Sequence, residues 1–562
     1  MNKTTRCDLA VALGILLFAV LLHYGRMGAS IDGVWLSTDS AMYASIAAAY
    51  GHPEKFAHDF VYGVESQYLT HVTPLVQLVD WLASDDGNYG IAYLQVTGLS
   101  VFLHYIAFYL LGILFFRERW KALIFTILMG LCYWTPWGTY WGAGYVDYTP
   151  RSLFNALYAL LLCVYFPILD KPRWWPLFMA ALGGLVYVHS ISALPVAAGL
   201  WLGFAASRPQ GCPLWRHLAR LLATGGCFLA VMTPYALTYT HASGVRLGPE
   251  DVAFMDHILR TRFDIEYAEY LYGMGKFLRQ YTLLPVIPLA LGATWLIFRH
   301  GTPREKLFGK HIWLWVAGVY VVILLFVLDQ EISRALGRMH LEFDLVRVHR
   351  FLPFFAMCLI FLGANILWRR VAMQVGRPFW QRTAACLCCL GLVIGFFCGG
   401  QQDLARSALA WYWNRLDAER YEAAYGPLLR RAEMVKAVSE HTRPGESLFF
   451  PGEDQAIRYN ALRPLTYGWK DACLLYYAKG IAPLHQWERI EAALKTSPTA
   501  YIDVALSTDP DYLLSERPED RARLEAEVGP VIWENARYLL VRNDHKLVGN
   551  GVTATEKTIR PR

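Results

Sequence analysis

The sequence predicts a polytopic α-helical membrane protein that carries a small α/β domain in its carboxyl-terminal part. Two observations support this fold class. Of the 562 residues, 55% are hydrophobic and only 17% are charged, a balance that soluble domains rarely reach. Long apolar runs flanked by Arg or Lys recur along residues 1–400, and most have the length that a helix needs to cross a hydrocarbon core.

Length and apolar patterning together predict about eleven membrane spans. The run 176–206 is too long for one upright helix and has basic segments at both ends, so it is predicted to form a hairpin that turns near His189. The predicted spans are near 11–24, 91–116, 122–135, 152–169, 176–206 (two spans), 219–239, 283–298, 312–328, 350–368 and 383–400.

The charges of the loops predict the orientation. The segments on one side hold 18 Lys or Arg against four Asp or Glu, and the opposite loops hold 12 basic and 19 acidic residues. An excess of Lys and Arg in short loops marks the cytoplasmic side, so the amino terminus is predicted to be cytoplasmic and the carboxyl terminus external. The basic segments are 1–8, 117–121, 170–175, 207–220, 299–311 and 369–382, and the opposite loops are 25–90, 136–151, 240–282 and 329–350.

The tail is predicted to be a second domain, over 401–562, that follows a membrane domain over 1–400 with a large first external loop, 25–90. Its pattern is helical to about residue 440. Short strand-like runs separated by Pro, Gly and Asp follow, at Ser447–Phe450, Tyr501–Val504, Tyr512–Leu514 and Tyr538–Val541. Because nearly all of the eleven cysteines lie in apolar runs, a disulfide scaffold is excluded.

The first external loop carries the strongest candidate for catalysis. Asp39 follows the first span, and an apolar amphipathic piece over 68–82 comes later in the same loop. A carboxylate beside interfacial helices suits a base that acts on a lipid-anchored substrate. Asp39 and Asp59 are the two carboxylates of this loop considered for such a role. The alternatives are a helix cap for Asp39 and an ion pair with His58 or Lys55 for Asp59.

This region also resembles a known family. The run from Asp39 to Ala47 reads Asp-x-x-x-Tyr-Ala-x-Ile-Ala and resembles the Asp-Glu-x-x-Tyr-Ala-x-Ile-Ala element of bacterial aminoarabinose transferases and protein O-mannosyltransferases. Thr73-Pro74-Leu75 falls where those proteins carry Pro-Pro-Leu. They belong to the GT-C superfamily of glycosyltransferases, which use polyprenyl-phosphate-linked sugars. One position departs, because Ser40 replaces the family's second acidic residue.

The resemblance implies a GT-C-like fold in the bacterial inner membrane, with catalysis on the periplasmic side. It implies transfer of a sugar from a polyprenyl-phosphate donor to a lipid, glycan or protein acceptor. This reaction needs a general base for the acceptor proton, for which Asp39 is the first candidate and Asp59 the second. It also needs positive charge at the departing phosphate. The first candidates for that charge are Arg347, His349 and Arg350, with Lys276 and Arg279 second. Arg347 and Arg350 have an alternative role as headgroup anchors.

Further residues are expected to line the same cavity. They are Tyr43, Asp147, Arg151 and His189. Asp147 and Arg151 have the alternative of a local ion pair at a helix start, and His189 that of a satisfied polar contact in a turn. The Trp-rich stretch 133–141 fits an interfacial belt better than a sugar platform. The tail's polar points, Arg458, Arg463 and Lys470, are expected to be structural or solvated.

Other functions stay open at this stage. A transporter or flippase of lipid-linked glycans would show paired charges or broken helices in mid-span, a catalytically inactive relative would follow from Ser40, and a non-enzymatic assembly factor would need fewer spans. The histidines of the first loop lack tight ligand spacing, so a divalent metal is not indicated and no cofactor is assigned. Most of the net charge of +6 lies in the basic loops that set the orientation. It therefore does not indicate a nucleic-acid partner, and membrane lipids are the expected partners.

Overall fold

The structure is a computed structural model, and it describes residues 3–83, 87–131, 133–135, 139–242, 247–263, 279, 286–337, 344–375, 383, 403–452, 455–497 and 499–545. Within these ranges, seven helices are long and apolar enough to cross a membrane. The predicted polytopic helical class is confirmed. The predicted span at 383–400 lies, apart from residue 383, outside the described residues.

Thirteen α-helices are described before residue 376. They are α1 (Lys3–Ala29), α2 (Thr38–Gly51), α3 (Pro74–Ala83), α4 (Tyr89–Phe116), α5 (Arg119–Gly130), α6 (Pro150–Ile168), α7 (Trp175–Gly184), α8 (Val186–Ala205), α9 (Leu214–Ala242), α10 (Pro249–Phe263), α11 (Val286–His300), α12 (Pro303–Ala335) and α13 (Phe351–Val375). The seven candidate spans lie in α1, α4, α6, α8, α9, α12 and α13, the last extended to Arg347. A short 3₁₀ helix, Asp344–Arg350, leads into α13.

The predicted span at 122–135 ends early. α5 stops at Gly130, and the next residues form a small antiparallel hairpin of β1 (Tyr133–Thr135) and β2 (Thr139–Trp141). A twelve-residue helix reaches only about 18 Å, so α5 is shorter than the hydrocarbon core. A side chain at Gly130 would overlap the ring of Tyr105, and this close approach ties the end of α5 to α4.

The run 176–206 forms the predicted hairpin. His189 interrupts the helical backbone with extended angles, φ −160° and ψ 99°. The ring of Trp175, at the start of α7, stacks on Phe204 near the end of α8, with 4.7 Å between the ring centroids. The two helices therefore run in opposite directions, and the predicted turn near His189 is confirmed.

Contacts between loops follow the grouping that the charges predict. Arg119 donates to Asp8 at one end of the bundle, with 2.6 Å between Nε and Oδ1. At the same predicted side, Arg369 at the end of α13 pairs with Glu305 at the start of α12, at 2.7 Å. The segments predicted to be external meet at the other end. Which of the two ends faces outward stays a prediction.

The tail is mixed α/β. Its helices are α14 (Asp403–Asn414), α15 (Ala418–His441), α16 (Ala456–Tyr459), α17 (Asp471–Tyr477), α18 (Ile481–Leu494), α19 (Ala500–Thr508) and α20 (Arg521–Glu527), and its strands are β3 (Leu448–Phe449), β4 (Tyr512–Ser515), β5 (Val531–Glu534) and β6 (Leu539–Arg542). The strands form one sheet in the order β3-β4-β6-β5, in which only the first pair is parallel.

One predicted strand is wrong. Tyr501–Val504 lies in α19, because the buried residues of that segment, Tyr501, Ile502, Val504 and Ala505, have helical spacing. The helix ends at Thr508, and the next residue, Asp509, takes a left-handed conformation with φ 49°. The predictions near β3, β4 and β6 are confirmed, and β5 is an additional strand.

The tail packs directly on the first external loop. Buried side chains of both regions form a single apolar core, with Ile46 and Val79 from the loop and Leu448, Leu513 and Leu540 from the tail among its members. The division at residue 400 stays a prediction, but the loop and the tail share their packing.

Candidate functional site

Asp39 lies between two cations that come from distant parts of the chain. Its Oδ2 accepts a hydrogen bond from Arg151 Nη2 at 2.9 Å, and its Oδ1 accepts one from Lys470 Nζ at 2.8 Å. The side chain of Asp39 remains 26% exposed, compared with 10% for Arg151 and 14% for Lys470. A carboxylate that solvent still reaches is thus held by one cation from the membrane domain and one from the tail.

Asp147, not Asp39, caps the start of α2. Asp147 Oδ1 accepts hydrogen bonds from the backbone N–H of Ser40 at 2.8 Å and from the hydroxyls of Ser40 and Ser37 at 3.0 and 2.5 Å. It thereby satisfies an N–H group that the first helical turn leaves without a partner. The capping role considered for Asp39 is wrong, and Asp39 is available to face the cations.

The electrostatics of the two carboxyls are opposite. Burial alone would raise the pKa of Asp39, but the charges of Lys470 and Arg151, with a smaller contribution from Arg347, lower that pKa to about 2. Burial raises the pKa of Asp147, and the negative charge of Asp39 raises it further. Asp39 is therefore ionised over the whole physiological range.

The side chain of Arg151 is held by contacts other than the one with Asp39. Its Nε donates to Thr149 Oγ1 at 3.0 Å, and its guanidinium lies 5.5 Å from the ring centroid of Tyr140. The hydroxyl of Tyr140 donates to the backbone carbonyl of Asp147 at 2.7 Å. The salt bridge described for Arg151 joins it to Asp39, so the residue links two loops instead of serving only its own helix.

Lys470 is a site residue that the sequence prediction missed. It was expected to be structural or solvated, yet it contacts Asp39 across 431 residues of sequence. Trp469 beside it stacks under the guanidinium of Arg262 from α10, 3.2 Å from the ring centroid. In the sequence, the adjacent Trp469 and Lys470 were the feature that could have marked this residue. No local spacing, however, connects them with the first loop.

Asp59 has a different role from the one predicted. Its Oδ1 accepts from the N–H groups of Val61 and Tyr62 and from Arg458, and its Oδ2 accepts from Arg458 and the N–H of Leu465. Its side chain is fully buried. Because both oxygens are occupied and sealed from solvent, the prediction of Asp59 as a second base is wrong.

Arg458 joins Asp59 to the segment that carries Lys470. It donates to Asp59 at 2.8 and 3.0 Å and to Asp471 at 2.6 and 2.9 Å. All three side chains are at most 1% exposed. We call these three residues the buried clamp. Because Asp471 follows Lys470 directly, the clamp fixes the position of Lys470 relative to the first loop.

Arg350 is not at the membrane surface, where it was expected. It is 1% exposed and donates to the Ser192 hydroxyl, which also bonds His189 Nδ1 at 2.6 Å. Arg350 and His189, both predicted site residues, thus meet inside the helix bundle. A role as headgroup anchor is excluded for Arg350 by this burial. His349 is likewise buried, and Arg347 is close enough to Asp39 to act on its charge.

The other predicted residues have separate outcomes. Tyr43 lies one helical turn from Asp39 on α2, and its ring centroid is 6.5 Å from that of His71. Burial lowers the pKa of His71 to about 4. Arg279 is exposed, and Lys276 lies outside the described residues.

The Trp-rich stretch contributes packing at its described end. Trp141 is fully buried and stacks on Phe354 of α13, with 4.5 Å between ring centroids, so it offers no face to a sugar. The remaining side chains of 133–139 lie outside the described side chains. Over the described ranges, no group of three or more His, Cys, Asp or Glu could hold a metal ion.

Comparison with known proteins found similar solved structures but no similar family or curated protein. No family model matches the sequence, and no curated protein matches it. The chain is similar to crystal structures of ArnT from Cupriavidus metallidurans, one bound to undecaprenyl phosphate and one in the apo state. Their identities to this chain are 13% and 14%, their TM-scores are 0.45 and 0.43, and each match covers 96% of this chain and 97% of the other. Similarity at this level transfers no activity to this chain.

Proposed function

We propose that this chain is a bacterial inner-membrane glycosyltransferase that moves a sugar from a polyprenyl-phosphate donor to an extracytoplasmic acceptor. One observation carries the proposal. Asp39 is bound at once by Arg151 and Lys470 at the end of helices that are long and apolar enough to cross a membrane. A carboxylate with several cations around it provides both kinds of group that the reaction needs, a proton acceptor and a binding site for phosphate.

The donor phosphate competes with Asp39 for the same cations. Arg151 and Lys470 neutralise Asp39 in the ligand-free site, and Arg347 adds positive charge nearby. A phosphate that enters this site draws the cations towards its own oxygens, because phosphate accepts strong charge-assisted hydrogen bonds. The pKa of Asp39 then rises from its low value, and the carboxylate becomes a stronger base when the donor is bound.

The reaction balances as a displacement at the anomeric carbon. The bond from this carbon to the phosphate oxygen breaks, and polyprenyl phosphate leaves with the electron pair. The acceptor oxygen forms the new bond to the same carbon, and its proton passes to Asp39. Arg151 and Lys470 stabilise the charge that develops on the departing phosphate.

Ser40 is compatible with this activity. Its hydroxyl and N–H both bind Asp147, so a second carboxylate lies beside Asp39 although position 40 itself is not acidic. A Glu at position 40 would place a second negative charge beside Asp147. Burial already disfavours the ionised form of Asp147, so this second charge would be unfavourable. The chain therefore supplies its second acid from a different loop, and this favours an active enzyme over an inactive relative.

The test is a transfer assay with the full chain in proteoliposomes. A panel of undecaprenyl-phosphate sugars is supplied, and both the release of undecaprenyl phosphate and the movement of intact donor between leaflets are measured. Release that depends on Asp39 supports the proposal. Movement of intact donor without bond cleavage would replace it with the flippase function. Absence of both, with binding of undecaprenyl phosphate retained, would favour the inactive relative.

A further inference from the structure

A second cluster of cations surrounds a cavity at the end of the bundle opposite to Asp39. The cavity has a volume of about 660 Å³ and lies between the α4–α5 turn, the α11–α12 turn and the end of α13. Its lining residues are Glu118, Lys121, His300, Thr302, Ile366, Trp368, Arg369 and Arg370. This end carries the segments predicted to be cytoplasmic.

The lining has an excess of positive charge in a fixed framework. Glu118 pairs with Lys121, whose side chain is 5% exposed. Glu305, behind the lining, accepts from both Arg369 at 2.7 Å and the backbone N–H of Thr302 at 2.8 Å. Both ion pairs are therefore built into the wall. Arg370 adds a cation that neither of these two carboxylates neutralises.

Aromatic and apolar groups complete the cavity wall. The ring of Trp368 meets that of Trp120 edge to face, with 5.6 Å between the centroids, and Ile366, two residues earlier on α13, also lines the cavity. Trp side chains prefer the membrane–water interface. A basic pocket between helix ends at this depth matches the chemistry of an anionic lipid headgroup, with the phosphate on the cations and the acyl chains along the helices.

We propose that this cavity binds the headgroup of an anionic phospholipid. Arg370 and Arg369 contact the phosphodiester, and Trp368 lies at the level of the glycerol backbone. The site is separate from Asp39 and does not depend on the proposed transfer reaction. The lipid joins the ends of α5, α11 and α13 and so stabilises the bundle at the side away from the reaction.

The test compares lipid retention in the full chain and an Arg370→Ser variant. Both are purified in neutral detergent, supplied with phosphatidylglycerol or phosphatidylcholine, and examined by native mass spectrometry and thermal unfolding. We expect phosphatidylglycerol to be retained and to raise the Tm of the wild-type chain, and Arg370→Ser to weaken retention by about fivefold for the loss of one cation. Arg370→Lys should keep most of the binding.

The matched control is Arg299→Ser. Arg299 lies at the same predicted side, at the end of α11, and is exposed outside the described lining, so its loss should not change retention. Equal retention in the wild-type and Arg370→Ser chains would overturn the proposal, as would equal stabilisation by phosphatidylcholine. Stabilisation by inorganic phosphate equal to that by phosphatidylglycerol would also overturn it, in favour of a site for free phosphate.

Discussion

The loop 25–90, predicted to be external, carries Asp39 and Asp59, which differ in solvent exposure and in their hydrogen-bond partners. Asp39 is 26% exposed and shared by two cations, whereas Asp59 is fully buried and accepts all its hydrogen bonds from one Arg and three backbone N–H groups. A carboxylate with solvent access can exchange its partners when a substrate arrives. A sealed one cannot do so without unfolding its surroundings, so Asp59 supports the fold and Asp39 remains the proposed base.

The largest expected effect distinguishes these two roles directly. Asp39→Asn keeps the shape of the side chain but removes the proton acceptor, so we expect the transfer rate to fall about 10²–10⁴-fold. Binding of undecaprenyl phosphate and the Tm should be kept. Asp32→Asn, an exposed carboxylate of the same loop, serves as the control and should transfer normally. Full activity of Asp39→Asn would show that Asp39 is not the base.

The buried clamp should respond in stability instead of rate. Arg458→Met removes the shared partner of Asp59 and Asp471 and leaves two buried carboxyls, which should destabilise the fold by about 3–5 kcal/mol. Thermal unfolding in detergent measures this loss. Arg523→Met breaks an exposed pair with Glu527 and should have little effect. Similar Tm values for the two variants would contradict the assignment of Arg458 to the fold.

Lys470 binds Asp39 and directly precedes Asp471 of the buried clamp. Replacing it should change donor binding more than the rate of the chemical step. Lys470→Met removes a cation from the proposed phosphate site, so KM for the donor should rise about tenfold, the value of one charge-assisted hydrogen bond. The pKa of Asp39 should also rise from about 2, and activity should then be lost at a higher pH as the solution is acidified.

The control for this variant is Lys495→Met, an exposed lysine that pairs with Glu491. It should leave both KM and the pH profile unchanged. A Lys470→Met enzyme with a normal KM and an unshifted acid limb would separate Lys470 from the phosphate site.

The smallest effect concerns the pH dependence of stability. Burial raises the pKa of Asp471 to about 6, and the nearby Asp59 adds to this, although Arg458 opposes it. A carboxyl whose pKa is higher in the folded state stabilises the fold at low pH, and this contribution is lost as the pH rises through about 6. Asp471→Asn should therefore reduce the part of the Tm change that occurs between pH 4 and 7. An unchanged pH profile would contradict the raised pKa.

The sequence predicted the features that depend on local patterning. Apolar runs gave the helical class, and the basic segments flanking 176–206 gave the hairpin at His189, because membrane crossing is set by length and charge along the chain. Asp39 was found because it belongs to a recognisable run. Its selection as base stays a proposal, but its position beside two cations fits that role.

The missed features depend on contacts between distant segments. Asp59 and Asp39 lie 20 residues apart in one loop, and each binds a different cation from the tail, Arg458 or Lys470. These partners lie 399 and 431 residues away, beyond any periodic pattern. The strand predicted at Tyr501–Val504 failed for a local reason, because a short apolar run fits a buried helix as well as a strand.

The distance between Asp39 and Lys470 also has a consequence for biosynthesis. A chain emerges from the ribosome amino end first, so Asp39, Arg151 and the seven candidate spans are made before Lys470. Until the tail has been made and has packed on the first loop, the site around Asp39 lacks Lys470. A partly synthesised chain in the membrane that ends before Lys470 therefore cannot complete this site.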